Sequence, residues 1–221
     1  MSTFLQDVRY AIRILAKAPT FTAAAILTLA LTIGVNTAVF SLVNKALLEP
    51  LPFDDSDRLM WLFRESRAGK EVGSISHPDY LEYRDRTGAF EQLAAFSLMP
   101  LTVGRGSDAE TRIGQIVTGN YFATLGQRSS LGRTFTVEDD RWPGGHPVVV
   151  VSHRYWEGAL GGRPGAVGET VTLNGHPFTI VGVTPEGFAG AIPVPAPDLW
   201  VPMMMLEQVR PALGGRQMDW V

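Results

Sequence analysis

The feature that most constrains this chain is a run of 27 residues, from 18 to 44, that contains no charged side chain. As a helix this run would extend about 40 Å, which exceeds the hydrocarbon core of a bilayer at about 30 Å. Lipid offers no hydrogen-bond partners to the backbone, so a single spanning segment must be helical. The sequence therefore predicts one transmembrane helix, over residues 18–48.

Two other interpretations of the apolar run are a cleaved signal peptide and the buried helix of a soluble protein. The run is longer than the apolar region of a usual signal peptide. No clear small-x-small cleavage site follows it. Both alternatives are therefore less favoured than a membrane span.

One face of the predicted helix carries small residues at a spacing of four. Ala30, Gly34 and Ala38 form this helix-packing face, and such spacing lets a neighbouring helix approach closely. The span also contains several polar residues, among them Thr28, Thr32, Asn36, Thr37 and Ser41. These features predict helix neighbours within the membrane. The alternative is a lone anchor whose Thr and Ser hydroxyls bond back to their own helix.

Charge is distributed unevenly about the span. The whole chain has a formal net charge of −3, whereas the first 17 residues have a net charge of +2 from Arg9, Arg13 and Lys17 against Asp7. Basic residues flanking a first membrane helix stay in the cytoplasm. The N-terminus is therefore predicted inside the plasma (inner) membrane, and the large domain is predicted to be periplasmic or extracellular.

The segments on either side of the span complete the predicted domain organisation. Residues 1–17 are predicted to form a cytoplasmic amphipathic helix lying on the inner membrane surface, with a break at Pro19. Residues 49–57 contain Pro50 and Pro52 and are interpreted as the exit linker. Residues 58–221 form the predicted extracytoplasmic domain. The chain contains no Cys, so a disulfide framework is excluded and the redox compartment is not diagnosed.

The extracytoplasmic part alternates irregularly between predicted strands and helices. Strands are predicted at 58–64, 95–103, 111–117, 147–152, 169–173, 177–183 and 199–204, and helices at 77–86, 90–94, 120–126 and 154–160. Asn174-Gly175, between two strand patterns, is a strong hairpin signal. The predicted fold class is α+β: an N-terminal amphipathic helix and one transmembrane helix, followed by a mixed α+β domain.

The sequence contains none of the common catalytic motifs considered below. There is no Gly-x-x-x-x-Gly-Lys-Ser/Thr phosphate loop, so the chain is not expected to hydrolyse ATP by that route. Ser152 and His153 are adjacent in sequence, but no Gly-x-Ser-x-Gly elbow surrounds Ser152. The sequence therefore predicts no catalytic residue.

Patterns for bound ligands are equally sparse. The four His residues are scattered, without the spacing of a zinc site, and Glu138, Asp139 and Asp140 are interpreted as a solvated loop rather than a cation site. There is no basic run or stacking platform for nucleic acid. Four tryptophans are interpreted as core or interface residues: Trp142, Trp156, Trp200 and Trp220. No metal-binding or cofactor-binding residue is predicted.

A series of short motifs extends along nearly the whole chain. They lie at residues 7–13 (DVRYAIR), 19–22 (PTFT), 29–40 (LALTIGVNTAVF), 47–53 (LLEPLPF), 120–126 (NYFATLG), 131–135 (LGRTF), 148–156, 168–183, 185–188 (PEGF) and 198–202 (DLWVP). In this order they resemble the start of MacB/FtsX-type ABC transporter permeases. The resemblance is greatest to MacB-like members that lack a fused nucleotide-binding domain.

The resemblance implies a layout and a set of partners. Such permeases place a large extracytoplasmic domain between their first and second membrane helices. They work as a homodimer or paired permease with ATP-binding cassette ATPase subunits, which bind the ATP, and a periplasmic adaptor is a further candidate partner. Family members have at least three further membrane helices. We therefore expect this chain to be an N-terminal fragment that is cut inside its MacB periplasmic-core-like domain.

The function predicted from the sequence is that of a permease subunit, in its N-terminal part. It would belong to an ABC-type export or mechanotransmission complex and would move in response to ATP hydrolysis by a separate subunit. The alternative is a membrane-anchored extracytoplasmic binding or sensor module without ATPase coupling.

Overall fold

The computed structural model of the protein describes residues 2–43, 58–65, 72–73, 75–192, 195–210 and 219–220. The chain divides into two compact units, residues 1–50 and 51–221. The first unit contains helix α1 (Ser2–Lys17) and helix α2 (Pro19–Val43). The break at Ala18 confirms the predicted interruption, because Pro19 lacks an N–H and begins a helix readily. The predicted end of the span at 44–48 and the exit linker at 49–57 lie outside the described residues.

The second unit is built around a seven-stranded mixed sheet. The strands of this unit, in chain order, are β1 (Arg64–Glu65), β2 (Val72–Gly73), β3 (Ile75–Ser76), β4 (Phe96–Val103), β5 (Glu110–Val117), β6 (Leu131–Gly132), β7 (Val148–Val151), β8 (Thr170–Leu173), β9 (His176–Val183), β10 (Leu199–Pro202) and β11 (Asp219–Trp220). The seven-stranded sheet consists of β4 to β10. The sheet order is β6-β9-β7-β10-β5-β4-β8. Outside it, β1 pairs with β2 and β3 pairs with β11, both antiparallel.

The sheet curls so that its ends meet. Strand β8 pairs with β9 along its whole length and also with β4, through Val103 and Leu173. Strand β9 runs parallel to β7, and β10 runs parallel to β5. Strand β10, late in the chain, therefore lies in the middle of the sheet, between β5 and the antiparallel neighbour β7.

Short helices connect the strands, and local sequence explains where they begin and end. They are α3 (His77–Arg86), α4 (Tyr121–Thr124), α5 (His153–Leu160) and α6 (Leu206–Val209). Ser76 and Ser152 cap α3 and α5, each accepting a backbone N–H three residues later. Gly161 ends α5 in the left-handed region, at φ 67°. The helices predicted at 77–86, 120–126 and 154–160 are therefore confirmed.

The hairpin between β8 and β9 forms where the sequence predicts it. Asn174 has φ 47° and Gly175 has φ 88°, the positive values that a two-residue hairpin turn requires. The Asn174 side chain has an additional role, because its Oδ1 accepts the Thr102 N–H at 2.6 Å. Its Nδ2 also donates to the Val209 carbonyl. The turn therefore joins the hairpin to the end of β4 and to α6.

Both faces of the sheet are covered by apolar side chains. Along β7, Val149 and Val151 belong to one buried cluster and Val150 to the other. The same alternation occurs in β10, where Leu199 flanks Trp200 and both are fully buried. Successive strand residues point to opposite faces, so a strand buried on both sides is apolar throughout.

The strands predicted at 95–103, 111–117, 147–152, 169–173 and 177–183 are confirmed, and the predicted α+β class is also confirmed. The strand predicted at 199–204 ends at Pro202, and a 3₁₀ turn follows at Met203–Met205.

Two predicted elements are wrong. Residues 59–63 have no regular structure, and the strand β1 begins only at Arg64. Residues 90–94 are not helical, because the Leu93 carbonyl instead accepts bonds from the Tyr80 hydroxyl at 3.2 Å and Asn120 Nδ2 at 2.9 Å. In both places tertiary contacts outweigh the local preference of the sequence.

Candidate functional site

The predicted helix-packing face lies on α2. Ala30, Gly34 and Ala38 are all exposed, and a Cβ added at Gly34 would meet no atom within 4 Å. Within the described residues, Pro19–Ser41 is the helix that is long and apolar enough to cross a membrane. Nothing in the described part of the chain covers this face, so its role in packing against another helix stays a prediction.

Two of the polar residues in α2 are satisfied by the helix itself. The Thr28 hydroxyl donates to the Ala24 carbonyl at 2.9 Å, and the Thr32 hydroxyl donates to the Thr28 carbonyl at 2.8 Å. These bonds are the ones expected of Thr in a lone anchor. The two hydroxyls therefore do not require a partner helix.

The second unit contains a cleft of about 480 Å³ with aromatic walls. Trp61 stacks on Phe63 at 5.8 Å between ring centroids and meets Phe96 edge-on at 5.5 Å. Trp61 and Phe63 remain 43% and 52% exposed, so aromatic surface faces the opening. The other walls come from α3, α4 and residues 89–95. An ion pair between Arg58 and Glu91, at 2.7 Å, lies among the lining residues.

A buried polar network lies beside this cleft. The Tyr121 ring contacts Phe96 at 5.8 Å, and its hydroxyl donates to Gln115 Oε1 at 3.1 Å. The same oxygen accepts Trp200 Nε1–H at 2.8 Å, and the Tyr121 oxygen accepts the Ala191 N–H at 2.9 Å. Burial raises the pKa of Tyr121 well above its usual value. The phenol therefore stays neutral and acts as a fixed link between strands β5 and β10 and the Ala191 backbone.

Neither the cleft nor this network was predicted from the sequence. The signal available was the apolar run at residues 59–63, which was interpreted as a strand. Its aromatic members instead form part of an open surface. The hydrogen bonds of Gln115 could not be predicted, because the sequence does not show that this strand residue lies beside Tyr121 and Trp200 in the folded chain.

Ser152, which lies next to His153, has a structural role. Its oxygen accepts the Tyr155 N–H at 3.0 Å as the cap of α5, and its hydroxyl donates to Asp198 at 3.4 Å. Asp198 also binds Arg154 at 2.6 Å and is almost fully buried, with 8% of its side chain exposed. The cluster therefore joins α5 to the start of β10 and contains no nucleophile–base pair.

The acidic run at 138–140 differs from its sequence interpretation as a solvated loop. Asp139 is buried and accepts two bonds from the Arg133 guanidinium, at 2.6 and 2.8 Å. Burial acts to raise the pKa of Asp139, but the bonds from Arg133 and Thr136 outweigh it and hold that pKa below its usual value. Asp140 accepts the backbone N–H groups of Gly119 at 3.0 Å and Met204 at 2.7 Å. These two carboxylates tie three segments together, so the solvated-loop interpretation is wrong for Asp139 and Asp140, whereas Glu138 is exposed.

The remaining candidates are dispersed. Among residues whose positions the structure gives, no three His, Asp or Glu side chains are grouped as a metal site would require. Trp200 is fully buried and Trp156 packs against the core, whereas Trp142 is 60% exposed beside Arg141. Trp142 is therefore not a core residue, and the side chain of Trp220 lies outside the description.

The fold of the second unit has relatives among solved structures. The extracellular domain of the noncanonic ABC-type transporter YknZ from Gram-positive bacteria matches with a TM-score of 0.52 at 19% identity, over 66% of this chain and 73% of that chain. The periplasmic region of MacB from Actinobacillus actinomycetemcomitans matches with a TM-score of 0.54 at 17% identity, over 71% and 69% of the two chains. At these identities the likeness establishes the fold alone. A comparison with curated proteins gave no match.

The fold is therefore that of the extracytoplasmic domains of these two proteins. The family model described as the MacB-like periplasmic core domain matches residues 22–219. The chain therefore belongs to the MacB-like periplasmic core domain family, and the resemblance inferred from the sequence motifs is confirmed.

Proposed function

We propose that the chain is the N-terminal part of a permease subunit in an ABC-type export or mechanotransmission complex. The observation that carries this proposal is the presence, in one chain, of a helix long enough to span a membrane and of the match to the MacB-like periplasmic core domain, which begins within that helix at residue 22. In this proposal ATP is bound and hydrolysed by a separate subunit. The permease converts that reaction into movement of its extracytoplasmic domain.

The architecture of the second unit suits a part that moves as one body. Its sheet is closed by the Val103–Leu173 pair and is packed with apolar side chains on both faces. Close-packed interiors have low compressibility and transmit displacement rather than absorbing it. Ion pairs such as that of Arg154 with the buried Asp198 carboxylate add resistance to relative sliding of α5 and β10.

The proposed orientation places the N-terminus in the cytoplasm and the core domain outside. It follows from the net charge of +2 before the span. The test uses single-cysteine variants of a chain that has no native Cys. Ser107→Cys, at an exposed turn, should react with an impermeant thiol reagent in intact cells whose outer layer has been made permeable. Ser2→Cys should react only after lysis, and the reverse pattern would overturn the orientation.

Coupling to an ATPase is tested on the chain in its native membranes. Affinity purification after mild cross-linking should recover an ATP-binding cassette subunit carrying a phosphate-loop motif. Its yield should change between nucleotide-free and vanadate-trapped membranes, because the proposed motion is linked to hydrolysis. Recovery of the permease without any such ATPase in both states would overturn the coupling.

Gly34→Leu tests the predicted packing face. A large side chain at this position would hold two helices apart, because nothing in α2 itself occupies the space above Gly34. We expect a several-fold lower recovery of the assembled complex, whereas Leu27→Ile, which conserves volume, should leave it unchanged. Equal recovery from both variants would show that Ala30, Gly34 and Ala38 face lipid.

The aromatic cleft favours a second candidate function, a membrane-anchored binding or sensor module. Pockets of this size with aromatic walls and a few polar groups are typical of sites for small apolar ligands. If binding is the main function, ligand addition should quench Trp61 fluorescence without any ATPase present, and Trp61→Phe should abolish the signal. If the permease function is correct, the chain should respond to nucleotide through its ATPase subunit.

A further inference from the structure

Helix α1 carries three cations in a row. Arg9, Arg13 and Lys17 recur every four residues, and all three are exposed. An α-helix has about 3.6 residues per turn, so these side chains lie within about 80° of one another around the helix. None of the three forms an ion pair with a side chain that the structure describes. The row is therefore free to bind anions that do not belong to this chain.

The arginines of the second unit are used differently. They mostly pair with carboxylates of the same unit: Arg58, Arg84, Arg86, Arg112, Arg133, Arg141, Arg154 and Arg163. Arg105, Arg128 and Arg210 are exposed without such a partner among the described residues, and they lie in three separate segments. Within the described ranges, unpaired cations therefore form a row only on α1.

The connection between α1 and α2 keeps this row close to the apolar helix. Only Ala18 separates Lys17 from Pro19, where the helix long enough to span a membrane begins. The Thr22 hydroxyl donates to the Leu15 carbonyl at 2.7 Å, and the Thr22 N–H donates to the Ala18 carbonyl at 3.0 Å. These bonds tie the end of α1 to the first turn of α2. With α2 across a membrane, the end of α1 is therefore held at the level of the lipid headgroups.

We infer that the row of Arg9, Arg13 and Lys17 binds the phosphate groups of anionic phospholipids at the membrane surface. This inference rests on the proposed function in one respect, which is that α2 spans a membrane. It goes beyond that function because it gives α1 a preference among lipids, for headgroups with a net negative charge over zwitterionic ones.

The apolar residues of α1 favour a lipid over an acidic protein as the partner. Phe4, Val8, Ile12 and Leu15 recur in the sequence at helical spacing, and a helix with such a pattern lies in the interface with its apolar side toward the acyl chains. A leaflet supplies both the apolar layer for that side and the phosphates for the cations. The surface of an acidic protein supplies only the negative charge.

Net charge favours anionic over zwitterionic lipids. Phosphate oxygens accept charge-assisted hydrogen bonds from Arg and Lys in either kind of headgroup. A zwitterionic headgroup, however, carries its own cation beside the phosphate, which reduces the attraction. An anionic leaflet attracts Lys and Arg that lie within a Debye length of its surface, and the row on α1 satisfies this condition.

The lipid preference is tested with the full chain in phosphatidylcholine vesicles. The chain has no Cys, so Gln6→Cys, at an exposed position on the same side of α1 as the row, carries a single fluorophore. Its quenching is compared for two lipids with the same nitroxide on the acyl chain, one a phosphatidylglycerol and the other a phosphatidylcholine. We expect about threefold stronger quenching by the phosphatidylglycerol, since each nearby cation adds to the attraction. At about 0.5 M salt this difference should shrink through screening.

Charge variants of α1 test whether the row is responsible. Arg9→Gln, Arg13→Gln and Lys17→Gln together should make the two lipids quench equally, because the attraction to net negative charge is gone. The charge-conserving set Arg9→Lys, Arg13→Lys and Lys17→Arg should retain the preference for phosphatidylglycerol. A preference that survives the three Gln substitutions would overturn the inference.

The matched control removes the same charge from the second unit. Arg105→Gln, Arg128→Gln and Arg210→Gln together should leave the quenching ratio unchanged, since these exposed residues do not belong to the row. If this control loses the preference as fully as the α1 variant does, net charge rather than the row attracts the lipid, and the inference is overturned.

Flotation of the vesicles separates this inference from the proposed function. If the chain does not float with the vesicles, the proposed membrane span fails, and the lipid preference fails with it. If the chain floats but the two lipids quench equally at low salt, the lipid preference alone is overturned.

Discussion

Removing one hydroxyl from the core of the second unit should measure the strength of its buried polar network. In Tyr121→Phe the ring remains, and so do its contacts with Phe96, but two hydrogen bonds disappear. Gln115 Oε1 keeps the bond from Trp200 at 2.8 Å, so it stays satisfied. The Ala191 N–H, buried and donating to the Tyr121 oxygen at 2.9 Å, loses its acceptor.

The magnitude follows from that orphaned N–H. A buried donor left without a partner costs about 1–3 kcal/mol, so we expect Tyr121→Phe to lower the free energy of unfolding by about 2 kcal/mol. For a unit of this size the melting temperature should fall by about 4–8 °C. The measurement is thermal and denaturant unfolding of the detergent-solubilised chain, followed by near-ultraviolet circular dichroism.

Tyr83→Phe is the matched control. Tyr83 is 40% exposed, and its hydroxyl makes no hydrogen bond within the described part of the protein. Its loss should change the free energy of unfolding by less than about 0.5 kcal/mol. Equal effects from the two variants, or no effect of Tyr121→Phe, would refute the assignment of Tyr121 as a link between the sheet and the Ala191 backbone.

Three further predictions concern stability. Burial raises the pKa of Asp140 from 3.8 to about 6, so the folded protein holds this proton more tightly than the unfolded chain does. The resulting contribution to the free energy of unfolding is full below pH 3.8 and is lost as the pH rises through about 6. The melting temperature should therefore fall across this pH range, and Asp140→Asn should make the melting temperature depend less on pH. Gly190→Ala should destabilise more than Gly161→Ala in thermal melts: both have positive φ, but only at Gly190 would the new Cβ crowd other atoms, at 3.0 Å. In denaturant titrations Arg154→Ala should destabilise by about 1–3 kcal/mol by leaving a buried carboxylate poorly paired, whereas Arg163→Ala, which breaks an exposed pair, should give no measurable change.

Elements whose ends carry local signals were predictable from the sequence. The caps Ser76 and Ser152 and the left-handed Gly161 mark helix ends that depend on two or three adjacent residues. The Asn174-Gly175 turn is likewise local, because its positive φ values suit these two residue types.

The features that the sequence did not reveal depend on distant partners. Residues 59–63 have the composition of a strand, yet they form one wall of the cleft. The acidic run at 138–140 looks solvated until Arg133 and the backbone of Met204 are brought to it. The membrane helix is the reverse case, because its length and lack of charge depend on no partner.

The central place of β10 has a consequence for the order in which the protein can be made. Ribosomes synthesise the chain from its N-terminus, so β4, β5, β7 and β9 all exist before β10 does. Until Leu199–Pro202 follow, the inner edges of β5 and β7 have no strand between them, and their apolar side chains remain open to unwanted pairing. Pairings between segments so far apart in sequence also form slowly. The domain therefore passes through a period, late in its biogenesis, when its sheet is still open between β5 and β7, and that period is when a chaperone would be needed most.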